Sequence, residues 1–432
     1  MVLQRLDLRG AGIDLRGKLP RPDHTAEGPV AAVKEILADV RKRGDDAVRD
    51  LTERFDGTRP GALRVLPESV KGALDQIDPE LRDALETAAS GIRHFHQDQV
   101  VPDHTYERDG ITVVGCKVPV DRAGCYVPGG RAIYPSTVLM TAVPARVAGV
   151  AEVVLCVPPD RTGAVPSATL AAAAIAEVDE VYAIGGAQAI GAMAYGTESV
   201  RPVDVIVGPG NVYVALAKRE VNGLVGVPSS FPGPSEVVVI ADDTTPPDLA
   251  AIDVIVQAEH GPGGLAWLIS WSEGALDAVV AEIDAQVASA PRRADVEATF
   301  AEGGYAVLCD SPEHAVAIAN TIAPEHLELL CNEPQALVPL VRHAGAVFCG
   351  PWSPASVGDY VAGPSHVLPT DGTARFGSAL TVADFQKDVH VITLTQAALE
   401  QAAPVVRAIA TAEGLAAHAD SVARRLDRPR QP

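Results

Sequence analysis

From about residue 112 onward, short β-branched runs alternate with Ala-rich stretches of helical length. Residues 112–114, 153–157, 181–184 and 205–207 read as strands. Residues 136–148, 167–176, 187–194 and 212–221 read as the helices between them. Beyond the Pro-rich stretch 228–234 the alternation resumes, with strands at 237–240, 266–269, 306–308 and 346–348. Strand then helix, repeated, argues for parallel sheets with helices on their faces. The expected architecture is α/β, with two Rossmann-like parallel-sheet domains. Residues 1–24 form an N-terminal arm. Residues 25–125 and 236–380 form a first, discontinuous domain, and 126–235 a second one inserted into it. Residues 381–432 form a helical C-terminal segment. Near the start, Val33, Leu37, Val40, Ala47, Leu51 and Phe55 recur at helical spacing, with a break at Gly44-Asp45-Asp46.

Composition sets the class. The chain has 432 residues, 47% hydrophobic and 21% charged, enough to bury a sizeable core and too apolar for a disordered chain. Its 56 acids against 35 bases give a formal charge of −21, which argues against binding a phosphate backbone. The six cysteines form no C-x-x-C pair, so a reduced cytoplasmic compartment is expected. Asp7 stands where a signal peptide needs an apolar run. Pro144, Arg146 and Glu152 interrupt the most apolar stretch, 138–157, so no membrane partner is expected.

Common cofactor motifs are absent: no G-x-G-x-x-G follows a strand, and neither a P-loop nor H-E-x-x-H occurs. Instead, Gly185-Gly186-Ala187-Gln188 and Gly208-Pro209-Gly210-Asn211 each follow an apolar run and open a helix. Backbone N–H groups there suit a phosphate; the plainer alternative is a tight turn. Tyr126 precedes a third turn, Val127-Pro128-Gly129-Gly130-Arg131, and suits a ring-bearing ligand.

Asp248 is placed to cap a helix that ends at Gln257-Ala258-Glu259-His260. Gln257 and His260, three apart, share a helix face and suit one metal ion. The alternative is a His favoured by the helix dipole. Glu325 and His326 follow Pro324 and suit a division of base and water-activating roles; the alternative is a helix N-terminus. Asp359 and His366 lie in a polar, Gly- and Pro-rich loop, as a metal ligand and a substrate contact or as loop caps. Glu413 and His418, five apart on one helix, would point about 140° apart, so spacing does not join them.

Taken in order, Tyr126-Val127-Pro128-Gly129-Gly130, Gly185-Gly186-Ala187-Gln188-Ala189, Gly208-Pro209-Gly210-Asn211, Gly233-Pro234-Ser235-Glu236, Gln257-Ala258-Glu259-His260-Gly261, Ala323-Pro324-Glu325-His326-Leu327, Gly363-Pro364-Ser365-His366 and the pair Glu413 and His418 resemble the histidinol dehydrogenase family over nearly the whole length. The resemblance implies one zinc ion per subunit on Gln257, His260, Asp359 and His418. It implies Glu325 and His326 as the acid–base pair. Ser235, His366 and Glu413, with the zinc ligands and His326, are implied to meet L-histidinol. Tyr126, Gln188 and Asn211 are implied to meet NAD. Members are intertwined homodimers whose C-terminal segment completes the partner's site, which would bring in Glu413 and His418. The implied reaction takes L-histidinol to L-histidine through bound histidinaldehyde, in two NAD-dependent hydride transfers that end histidine biosynthesis.

One segment departs from the family pattern. Val227-Pro228-Ser229-Ser230-Phe231-Pro232 stands where an Ile-Asp pair is usual, which bears on the placement of Ser235. The departure motivates an alternative, a related zinc- and NAD-dependent dehydrogenase of another small polar alcohol.

Overall fold

The computed structural model describes residues 2–20, 27–130, 132–228, 235–259, 261 and 263–427, without the side chains of residues 27 and 28. His260, Gly233-Pro234 and most of the departing segment, 229–232, lie outside the described residues. The chain divides into two compact units, residues 1–99 with 120–385, and residues 100–119 with 386–432.

The first unit holds two parallel sheets. In the four-stranded one the order is Glu180–Ala183, Glu152–Val157, Arg122–Tyr126, Val205–Val207. In the six-stranded one it is Gln4–Asp7, Gly304–Leu308, Leu265–Ser270, Glu236–Ala241, His326–Leu329, Ala346–Cys349. Residues 4–7 of the expected arm are thus an edge strand, paired with Gly304–Leu308.

Both sheets are covered on both faces, which is why their inner strands, such as Glu152–Val157 and Glu236–Ala241, are continuous apolar runs after the first residue. Val153, Leu155 and Val157 enter one core while Val154 and Cys156 enter another. Val237, Val239 and Ala241 likewise face one layer of helices, and Val238 and Ile240 the other. This two-residue alternation is the geometry of a pleated strand.

Three local readings change. His326–Leu329 is a strand rather than the first turn of a helix. Ala323, at φ 55°, ends the helix Pro312–Ile322 in the left-handed conformation, and Leu327 and Leu329 then alternate into the core. The helix before Gln257 is Pro247–Ala258 with Pro246 as its N-cap, so Asp248 sits in the first turn and does not cap. Asp359 lies on a short helix, Ala355–Tyr360.

The second unit has a three-stranded antiparallel sheet, Gln386–Leu394, Ile111–Pro119 and His104–Arg108. The run 112–114 therefore belongs to an antiparallel sheet rather than to the parallel alternation. Asp109 and Gly110, both at positive φ, turn the hairpin between the last two strands. Residues 386–394 precede the two C-terminal helices as a strand, in keeping with the β-branched Val389, Val391, Ile392 and Thr393. Glu413 is the C-cap of Gln396–Ala412, and His418 lies in the first turn of Ala416–Leu426. They are not on one helix, because Gly414 at φ 73° separates the two.

All six cysteines are unpaired. Among the described residues no helix is long and apolar enough to cross a membrane.

Candidate active site

The first unit assembles polar groups in two places, at opposite ends of its two sheets. In the four-stranded sheet they collect at the carboxyl ends of the strands. Arg122–Tyr126 is flanked by Glu152–Val157 on one side and Val205–Val207 on the other, so the chain leaves it in opposite directions. Such a switch point opens a crevice beyond the strand ends.

A cavity of about 1140 Å³ lies there, lined by Tyr126, Gly129, Gly186, Gln188 and Asn211 among others. Tyr126, Gln188 and Asn211, widely spaced in sequence, are thus brought together. The Tyr126 hydroxyl accepts from the Gly186 N–H at 3.0 Å, at the start of the helix Gly186–Tyr195. Gly186 is at φ 63°, which a Cβ would strain. Gln188 is fully buried and neither amide atom has a partner. Asn211 caps the helix Val212–Val221, its Oδ1 accepting from Tyr213 N at 3.1 Å and Val214 N at 3.2 Å. Behind that turn, the buried Lys218 ammonium donates to the Gly208 carbonyl at 2.9 Å. Burial pushes Lys218 down to about 7.

In the six-stranded sheet the polar groups sit at the amino ends of the strands. Glu325 immediately precedes the strand that His326 begins, next to Glu236 at the start of its neighbour. The Glu236 backbone organises both residues. Its N–H donates to Glu325 Oε2 at 3.0 Å, and its carbonyl lies 3.3 Å from His326 Nδ1. His326 Nδ1 is also 3.7 Å from Glu325 Oε2, and its Nε2 is 3.4 Å from Asp359 Oδ1. A carbonyl only accepts, so Nδ1 carries the proton and the neutral ring presents a basic Nε2 toward Asp359. Burial pushes Glu325 up to about 7, offset in part by His326. For His326 burial lowers the pKa, but the Glu325 and Asp359 charges outweigh it and leave it raised.

Gln257, on the last turn of Pro247–Ala258, is 2% exposed, and neither of its amide atoms has a partner. A buried polar group without a partner costs about 1–3 kcal/mol, so the site is built for a group that completes it. An amide oxygen at Gln257 and a carboxylate at Asp359 are suitable hard donors for a metal. Among the described residues, no group of three or more His, Cys, Asp or Glu is arranged to hold one. Of the other two expected ligands, His260 lies outside the described residues and His418 belongs to the second unit.

His366 is held at both nitrogens, Nδ1 at 3.0 Å from the Asp359 carbonyl and Nε2 at 3.1 Å from Thr137 Oγ1. Ser365 Oγ also donates to the Met140 carbonyl at 2.9 Å. Thr137 and Met140 lie on Pro135–Val147, so this loop is anchored to the helix that connects Arg122–Tyr126 with Glu152–Val157 in the four-stranded sheet. Ser235 is partly exposed just before the Glu236 strand, its carbonyl accepting from Leu265 N at 3.1 Å. Sequence reasoning missed the roles of the Glu236 backbone and of Thr137. Backbone groups carry no side-chain signature, and Thr137 sits among the buried, mostly apolar residues of its helix.

A family model described as histidinol dehydrogenase matches residues 19–426. The histidinol dehydrogenase of Parasynechococcus marenigrum is 50% identical over 395 residues, covering 91% of this chain and 90% of that protein. That of Geobacillus kaustophilus is 46% identical over 422 residues, 98% of each. The crystal structure of histidinol dehydrogenase from Elizabethkingia anophelis superposes with a TM-score of 0.92 at 34% identity, covering 98% of both chains.

Proposed function

The chain belongs to the histidinol dehydrogenase family of NAD-dependent oxidoreductases, and on that premise we propose that it converts L-histidinol to L-histidine through bound histidinaldehyde, in two hydride transfers to NAD. The observation that carries this reading is the buried Glu325–His326 pair. The Glu236 carbonyl fixes the His326 tautomer, so Nε2, beside Asp359, is the basic nitrogen that takes the alcohol proton while hydride leaves the carbon bearing the hydroxyl. Glu325, raised to about 7, then takes a proton from the water that hydrates the aldehyde, which prepares the second oxidation.

Gln257 and Asp359 are assigned to zinc, with His260 and, from a second copy of the chain, His418. The ion would supply a fixed positive charge for the substrate's imidazole and amine. The partnerless Gln257 amide supports this set. Ser235, His366 and Glu413 are assigned to the substrate. Because both His366 nitrogens are engaged, its contact requires displacing Thr137 or using the ring edge. Tyr126, Gln188 and Asn211 are assigned to NAD, supported by their common cavity. The working form is taken to be a cytoplasmic homodimer with shared sites and neither nucleic-acid nor membrane partners.

The test is NADH formation from L-histidinol by the purified, zinc-loaded protein. Two NADH per L-histidinol are expected. No NADH from L-histidinol, alongside oxidation of another small alcohol, overturns the reading.

A further inference from the structure

Below the Gln257 and His326 layer lie two buried acids, Asp253 and Glu328, which the mechanism does not use. Asp253 is 7% exposed and Glu328 is fully buried.

Their placement follows from the fold. Residues 326 and 328 project from one face of their strand, because side chains alternate. Their cross-strand partners Val237 and Val239 pack into the same core as Ala250, Val254 and Ala258 of the helix Pro247–Ala258. His326 and Glu328 therefore face that helix. The helix connects two parallel neighbours, Glu236–Ala241 and Leu265–Ser270, so it runs against the direction of the strands. Position 328 then lies toward Asp253 and position 326 toward Gln257. The spacings agree, at about 7 Å for two strand residues and about 6 Å for one helical turn.

The hydrogen bonding is unusual. Glu328 Oε1 accepts from the Ala355 N–H at 3.3 Å, at the start of the short helix that carries Asp359. Glu328 Oε2 has no N–H or O–H partner, and the Glu328 carboxyl lies within hydrogen-bond reach of the Asp253 carboxyl. Two carboxyls in contact out of water cannot both ionise. Burial raises both acids; the Asp253 charge raises Glu328 further, with a smaller push from Asp359, while the hydrogen bond with Glu328 partly offsets the rise at Asp253.

We propose that Asp253 and Glu328 share a proton and act as positioning residues, a carboxyl brace that holds Gln257, His326 and Asp359 in register from beneath. Three elements, each carrying one residue of the candidate centre, meet at this brace. The proposal rests on the roles given above to those three residues.

The test compares variants of the zinc-loaded enzyme. Glu328→Gln keeps a donor toward Asp253 and is expected to stay within about threefold of wild-type kcat. The double variant Asp253→Leu with Glu328→Leu removes both polar groups without stranding a charge, a change that folded proteins tolerate. It is expected to lose about ten- to a hundredfold in kcat with KM for NAD unchanged, since small misplacements are costly in catalysis. Wild-type kcat in the double variant, or a Glu328→Gln variant as impaired as Glu328→Ala, overturns the proposal. Infrared spectroscopy at pH 7 separates this outcome from failure of the functional reading. In the difference spectrum of the wild type minus the double variant, where the Glu325 signal cancels, a protonated carboxyl band is expected, and its absence refutes the shared proton whatever the substrate is.

Discussion

His326 Nδ1 donates to the Glu236 carbonyl oxygen at 3.3 Å, and this contact decides which ring nitrogen is basic. The basic nitrogen of the proposed proton acceptor is thus set by backbone, through the pairing of His326 with Val237, one residue beyond Glu236. His326→Asn keeps a donor toward the carbonyl but removes Nε2. It is expected to lower kcat about 10²–10⁴-fold, the usual contribution of a general base. KM for NAD should hold, because Tyr126, Gln188 and Asn211 line a cavity elsewhere. Steady-state NADH formation measures both, and a loss below tenfold would remove Nε2 from the role.

Glu325→Gln probes the second half of the reaction. The amide oxygen can still accept from the Glu236 N–H, so the local fold should persist. Water activation should be lost, and NADH released per L-histidinol should fall from two toward one. An unchanged ratio of two would show that another group hydrates the aldehyde.

Lys218 gives a pH-dependent stability. Its pKa is about 7 in the fold, against 10.5 when exposed. Between these values the unfolded chain binds one more proton, so wild-type stability rises with pH across that window. Below about pH 7 the folded protein carries the full cost of a buried ammonium. Lys218→Met should therefore raise Tm over the wild type most below pH 7, with the advantage shrinking toward pH 10. Thermal melts across that range check the sign; an advantage that grows with pH contradicts it.

Gly208 is at φ 105°, and a Cβ there would stand 2.0 Å from the Tyr126 carbonyl oxygen. The obstacle is backbone and cannot rotate away. Gly208→Ala should cost about 2–4 kcal/mol, combining left-handed strain with a clash. It should also raise KM for NAD, because the turn leads into Asn211. Chemical denaturation gives the first quantity and initial rates the second.

The proposal that two chains share each site can be tested by complementation. His260→Ala and His418→Ala should each bind zinc weakly. After subunit exchange, hybrids that contain one intact site should recover part of the activity. No recovery after demonstrated exchange would count against a site assembled from two chains.

Much of the fold was legible in the sequence, because fully buried parallel strands appear as continuous apolar runs. Residues 153–157 and 205–207 needed only that signal, and Val212–Val221 was bounded by its Asn211 cap. His326–Leu329 was harder, since Pro324 followed by acids also suits a helix start; the alternation of Leu327 and Leu329 was the signal to weigh. Asp109-Gly110 carries the signature of a hairpin turn, which places residues 112–114 in an antiparallel pair rather than in the parallel pattern. For the site, type and spacing suggested Glu325 with His326. They could not show that an acid six residues from one helix end and another on a strand, Asp253 and Glu328, meet in the core. Such contacts depend on the direction in which a helix crosses a sheet.

The two sheets of the first unit work from opposite ends, one through the loops after its strands and the other through the residues before them. Redesign can exploit this separation. On the assignments proposed above, changes confined to the turns that begin at Val127, Gly185 and Gly208 would alter what accepts electrons, and changes in the Glu236 and Glu325 segments would alter what donates them. A library diversified at one end would leave the template for the other undisturbed, so the two specificities could be varied in turn.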